Sequence, residues 1–221
     1  MKRLLIILLA ILICVPSVFA RKKSKKSGDL ENNVYTDAAY DFQITCLGNW
    51  KPELQKPDKE LRLVLTQQQY EIPPELMQYP AMARIPILNI HVDEVEFTPA
   101  VYVDSLIRNS YSSKVKKEVL KDLQPLEENL SLEGLKTVAK DFIKVDDYEA
   151  SQWQGTVHYL KKLGMGETIP RTYSVGIVAI KKDNLMMTCL LSCESVFFPK
   201  IFKEVLEMVK TIKWQDIPEG E

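Results

Sequence analysis

Within residues 171–214 the hydrophobic pattern passes from a strand period to a helical one, and the rest of the chain is read around that block. Tyr173, Val175, Ile177 and Ala179 alternate with Ser174, Gly176, Val178 and Ile180. Period two with apolar or small residues in both sets predicts a strand covered on both faces. Lys182-Asp183-Asn184 interrupts the run. Asp and Asn accept left-handed backbone, so a hairpin turn is predicted there. The return strand sets Leu185, Met187, Cys189, Leu191 and Cys193 on one face, with Met186, Thr188, Leu190 and Ser192 on the other. Ile201, Val205, Met208 and Ile212 then recur at helical spacing, with Lys200, Lys203, Glu204, Glu207 and Lys210 opposite. Pro199 suits the first turn of that helix, where its missing N–H costs nothing.

Upstream, Val34-Tyr35-Thr36 predicts a short strand. Tyr40, Phe42, Ile44 and Cys46 alternate with polar residues, the pattern of a half-buried strand. Residues 51–59 read as loop. Leu61, Leu63 and Leu65 mark the next strand, with Arg62 and Thr66 on its polar side. Residues 67–86 carry Pro73, Pro74, Pro80 and Pro86, which predicts a long irregular loop of the kind that often holds a binding site. Residues 87–95 form a strand with Leu88, Ile90 and Val92 on one side. Thr98-Pro99 starts a helix reaching about residue 112, and residues 115–123 extend it or form a second. Ser131 caps a further predicted helix with Leu132, Leu135, Val138, Ala139 and Phe142 along its stripe. Residues 150–160 are a strand with Trp153, Val157 and Tyr159 on one face, and 161–170 a loop. The element order predicts an α/β (α+β) fold: a mainly antiparallel sheet flanked by helices on both faces, an α/β/α sandwich. It forms one domain over residues 34–216, followed by a short tail at 217–221.

The first residues fall outside that domain. Lys2 and Arg3 precede an apolar run over residues 4–15, Pro16 ends it, and Val18-Phe19-Ala20 offers small residues to signal peptidase. That is a signal peptide over residues 1–20, cut between Ala20 and Arg21. An uncleaved anchor is the competing reading, because Arg21, Lys22, Lys23, Lys25 and Lys26 crowd the far side. Residues 4–20 are at the short limit for a spanning helix. Export to the periplasm or beyond the cell is therefore expected. Residues 21–33 read as a basic, disordered linker able to touch an anionic surface weakly. Setting aside Lys2, Arg3 and the five basic residues of 21–26 leaves 22 basic against 30 acidic residues from Ser27 onward. An acidic body without a basic aromatic patch argues against nucleic acid.

Two stretches carry a family resemblance. Tyr40-Asp41-Phe42-Gln43-Ile44-Thr45-Cys46-Leu47-Gly48-Asn49-Trp50 resembles the aromatic, Phe-x-Ile, Pro-x-Gly-Trp run of the PsbP-like family and its wider Mog-type fold group. Phe42, Ile44 and Trp50 fall on matching positions, Leu47 stands where proline is usual and Asn49 where glycine is usual. Asn tolerates left-handed backbone, so the turn before Trp50 is expected to survive. Residues 171–214 are similar to the family's closing hairpin and helix. The resemblance implies an α/β/α sandwich and a role in binding other proteins rather than in catalysis. It brings no binding residues.

Candidate chemistry is sparse. His91 and Asp93, two apart on a strand, could join His158 in a metal site, although two ordinary polar positions explain them as well. Cys189 and Cys193 lie about 13 Å apart on one strand, too far to pair with each other. One bridge from Cys46 to either is the alternative to three buried, reduced thiols. Cys46 beside a histidine is a conceivable nucleophile, and Trp153 with Tyr159 a conceivable pocket wall, but core packing accounts for all three. Asn129-Leu130-Ser131 is a glycosylation sequon for a eukaryotic source. The chain lacks the G-x-S-x-G, H-E-x-x-H and C-x-x-C patterns. The expectation is an exported, non-enzymatic interaction or accessory protein without cofactor and with a protein partner. A small-molecule or metal-binding module, sited on the 67–86 loop or the His91/Asp93 face, is the alternative.

Overall fold

The computed structural model describes residues 26–70, 72, 74, 77, 84–107, 130–162 and 168–214. The signal sequence with its Ala20/Arg21 junction, the basic residues 21–25, the proposed helix at 115–123, the Gly164–Gly166 loop and the tail at 217–221 lie outside them.

Eleven strands and two helices make up the described residues. In chain order they are β1 (Gly28–Glu31), β2 (Val34–Asp37), β3 (Phe42–Thr45), β4 (Trp50–Leu54), β5 (Leu61–Gln67) and β6 (Ile87–Glu94). Then come α1 (Pro99–Ile107), β7 (Leu130–Val145), β8 (Tyr148–Lys162), β9 (Thr168–Lys182), β10 (Leu185–Glu194), α2 (Phe198–Val209) and β11 (Lys213–Trp214). They form a four-stranded sheet ordered β1-β2-β3-β11 and a seven-stranded sheet ordered β4-β5-β6-β10-β9-β8-β7, and every pairing is antiparallel.

Turn chemistry explains the meanders. Asn32 (φ 49°) and Asn33 (φ 63°) take the two left-handed positions between β1 and β2. Asp146 (φ 54°) and Asp183 (φ 54°) serve the β7–β8 and β9–β10 hairpins. β9 and β10 are buried on both faces in their central parts, as their two apolar sets require. Two hydrophobic clusters follow. One holds Val178, Ile180, Met187, Cys189 and Leu191 together with α2 and the small sheet. The other holds Trp153, Val175, Ile177, Ala179 and Met186 together with Tyr102, Val103 and Leu106 of α1. Gly176 seats α2: a Cβ there would run into the ring of Phe202, which stacks on Phe198 at 5.1 Å between centroids.

Several expectations are corrected. The α/β/α sandwich with helices on both faces does not hold. The fold is mostly antiparallel strand, a second sheet shares in closing one side, and the two described helices are single elements rather than layers. The helix expected from Ser131 is the long strand β7. Its register shifts between Leu132 and Gly134 and between Thr137 and Ala139, and Val138 and Phe142 of the expected stripe are exposed, so the helical spacing does not mark one buried face. Residues 28–31, placed in the linker, are strand β1, and β4 occupies part of the expected 51–59 loop. β8 and β9 run on into the expected 161–170 loop. The turn before Trp50 is present, closed by Trp50 N–H donating to Leu47 O at 2.9 Å, but Asn49 does not take left-handed backbone in it.

Arg62 is the largest departure from the expected polar face. Leu61 lies opposite His91 and Leu63 opposite Ile90, so Arg62 is the extra residue of a bulge. It is 1% exposed. Its Nε donates to Asp37 Oδ2 at 2.7 Å and its Nη2 to Asp37 Oδ1 at 3.1 Å and Ser27 O at 3.1 Å. Nη1 donates to Pro57 O and Lys59 O at 2.9 and 2.8 Å. All five guanidinium N–H donors are thereby used. Tyr35 Oη donates to Asp37 Oδ2 at 2.7 Å, and Asp37 Oδ1 accepts from the N–H groups of Ala39 and Tyr40. Burial, then the Asp37 carboxylate, pushes the Tyr35 hydroxyl above its ordinary range. This network ties the small sheet to the large one.

Candidate functional site

The expected metal set does not converge. His91 on β6 is buried, Asp93 half-buried, and His158 on β8 exposed with its Nδ1 3.1 Å from Thr172 Oγ1. Thr188, Ala179 and Ser151 lie on one rung with His91. His158 is seven residues along β8 from Ser151, about 23 Å at the strand rise. Among the described residues no three His, Cys, Asp or Glu side chains are grouped to hold a metal ion.

The thiols are core residues. Cys46, Cys189 and Cys193 are buried and unbridged. Burial pushes Cys46 up to about 11 and both Cys189 and Cys193 up to about 12. All three therefore stay protonated at neutral pH and are poor nucleophiles. A raised folded-state value means stability that is complete below the ordinary thiol range and lost as pH climbs from about 9 toward 12. Native protein at pH 8 is expected to resist iodoacetamide at all three positions. Urea midpoints are expected to fall above pH 9. Rapid labelling of Cys46 in the native state would contradict its burial.

Trp153 is also core: it is 1% exposed, with its Nε1 donating to Thr137 Oγ1 at 3.2 Å. The side chain of Tyr159 and the Asn129 sequon lie outside the described residues.

The described start of the 67–86 stretch lines a cleft. Where β5 ends, Gln67, Gln69 and Tyr70 face Asn49 of the β3–β4 turn and Phe197, Lys200, Ile201 and Glu204 at the start of α2, around about 460 Å³. Trp50, at the end of the resemblance run, donates its Nε1 to Glu204 Oε2 at 3.4 Å, and Gln67 Nε2 donates to the same oxygen at 3.0 Å. Gln67 is 2% exposed, and its Oε1 is buried without a hydrogen-bond partner. In the sequence Glu204 reads only as solvated helix surface. Its neighbours are more than a hundred residues earlier in the chain, so no local spacing could have shown them. A second groove of about 410 Å³ lies between α1 and the β7–β8 hairpin, where Phe142 is 80% exposed.

No family model matches the chain, and no curated protein matches it. Solved structures do. LpqN of Mycobacterium tuberculosis, described as involved in cell envelope biogenesis, aligns at a TM-score of 0.43 and 10% identity over 78% of this chain and 82% of its own. The cyanobacterial PsbP of Synechocystis sp. PCC 6803 aligns at 0.43 and 10% over 82% and 91%. A Pseudomonas aeruginosa protein of unknown function, PA94, described as a putative regulator, aligns at 0.42 and 13% over 79% and 92%. At these scores and identities the likenesses establish no family for the chain. Among the described residues no helix is long and apolar enough to cross a membrane.

Proposed function

We propose that this chain is an exported, non-enzymatic accessory domain that docks a segment of a partner protein in the cleft between the β5 end and α2. The observation that carries this is the make-up of the cleft. Three separate stretches of chain contribute amides, aromatic rings and one charge of each sign to it, on a rigid sheet and helix. Mixed polarity with aromatic walls suits a peptide side chain and its backbone. Export is supported by the basic, apolar and small-residue order of residues 1–20.

A photo-crosslinking residue in place of Tyr70 tests the docking site, with the same residue at Phe142 as control. A discrete crosslinked partner from Tyr70 and none from Phe142 is expected in the cells that make the protein. The reverse outcome would move the site to the second groove. The intact mass of the mature protein is expected to correspond to a chain starting at Arg21.

A further inference from the structure

The geometry points to a positively charged side chain, lysine or arginine on an extended partner segment, as the group this cleft reads, an assignment that rests on the cleft being the docking site. Glu204 is held rather than free to swing, because two donors from the large sheet converge on its Oε2. Both go to the same oxygen, which leaves the lone pairs of Oε1 for a ligand. The contact also fixes the Gln67 amide, since turning it over would set its oxygen against a carboxylate oxygen. Its own Oε1 is buried without a hydrogen-bond partner. The Glu204 carboxylate is the anionic group lining the cleft, and a cation placed against its Oε1 gains a charge-assisted hydrogen bond. Tyr70 and Phe197 supply aromatic surface for an aliphatic stem and a cationic head. The excess of acidic over basic residues from Ser27 onward favours the approach of a basic segment.

Lys200 gives the assignment a sign. It is exposed, lines the cleft and lies four residues before Glu204 on α2, within reach of the same carboxylate. It competes with an incoming cation. Removing it strengthens binding of a cation and weakens binding of an anion.

The test uses the full chain and two short blocked Gly/Ser peptides, one with a central arginine and one with norleucine in its place. Binding is followed by the NMR shift of the Trp50 indole N–H. The arginine peptide is expected to bind about tenfold tighter, the scale of one charge-assisted hydrogen bond. Glu204→Gln, which keeps an acceptor for Trp50 and Gln67, is expected to remove that preference. Lys200→Ala is expected to tighten arginine binding several-fold. Equal binding of both peptides leaves the docking site standing and overturns the cation assignment. No binding of either overturns both. Looser binding of the arginine peptide by Lys200→Ala also overturns the assignment, because Lys200 would then support the ligand instead of competing with its charge. Replacing the five basic residues of 21–26 by serine separates the occupants. Unchanged affinity keeps the occupant external, whereas a gain identifies the chain's own tail as resident and overturns the partner assignment.

Discussion

Asp37→Asn is expected to lower the free energy of unfolding by about 3–5 kcal/mol, the range for removing one partner of a buried ion pair. The cost comes from the group left behind. Arg62 keeps its charge, is 1% exposed, and loses the carboxylate that meets its Nε and Nη2 as a fork. Tyr35 Oη and the N–H groups of Ala39 and Tyr40 lose the charged form of their acceptor at the same time. Arg62→Met leaves the carboxylate buried and is expected to cost a similar amount. The double variant Asp37→Leu with Arg62→Met is expected to recover part of the loss, since no charge is then stranded. Urea titrations read at unchanged m-value give all three numbers, and Asp37→Leu alone completes the cycle that yields the coupling. Single losses of less than about 1 kcal/mol, the scale of a solvent-exposed pair, would show that the network is open to water.

That network also shows where a reading of sequence stops. Period two placed Arg62 with Thr66 on the polar side of β5, which is correct for an unbroken strand. The bulge between Leu61 and Leu63 gives Arg62 a position of its own, and only the fold brings Asp37 to it. β7 went wrong for a related reason. Two register shifts interrupt its period two, and its apolar residues fall three and four apart as in a helix although Val138 and Phe142 are exposed. The β9–β10 hairpin and α2 were legible because nothing interrupts their periods and their turn and first-turn residues agree with them. The β1–β2 hairpin carried a local signal, Asn32-Asn33, that the surrounding basic and polar residues hid.

The cleft was half visible. Prolines marked the 67–86 loop, and Gln67, Gln69 and Tyr70 at its start do line the cleft. Its other wall comes from α2, where Glu204 reads as one more charge on a solvated face. The seating of that wall is nonetheless written into the chain. Gly176 makes room for Phe202, and Thr211 Oγ1 accepts from Thr45 N–H at 2.9 Å, fixing the end of α2 to β3. Helix position, cleft width and the resemblance run at residues 40–50 are thus parts of one packing solution.

Trp153→Ala is expected to cost about 3–5 kcal/mol, the range for truncating a buried aromatic. The ring belongs to the cluster that holds α1 on the large sheet, with Tyr102, Val103, Leu106, Val157 and Ile177 around it. Gly155, two residues on and on the same face, has no Cβ because the ring of Trp153 occupies that space. Alanine at 153 therefore opens a cavity over Gly155, which has no side chain of its own to fill it. Trp153→Phe keeps most of the apolar volume and loses the donor to Thr137, so a smaller loss, about 1–2 kcal/mol, is expected. Because α1 rests on this cluster and α2 on the other, the alanine variant separates core from site. Thermal unfolding is expected at a clearly lower temperature, while the signal of the Trp50 indole N–H, which donates to Glu204 of the cleft, keeps its position below the transition. A shift of that signal in the folded variant would show that the two sides of the large sheet are mechanically coupled, and that the ring sets the cleft as well as the core.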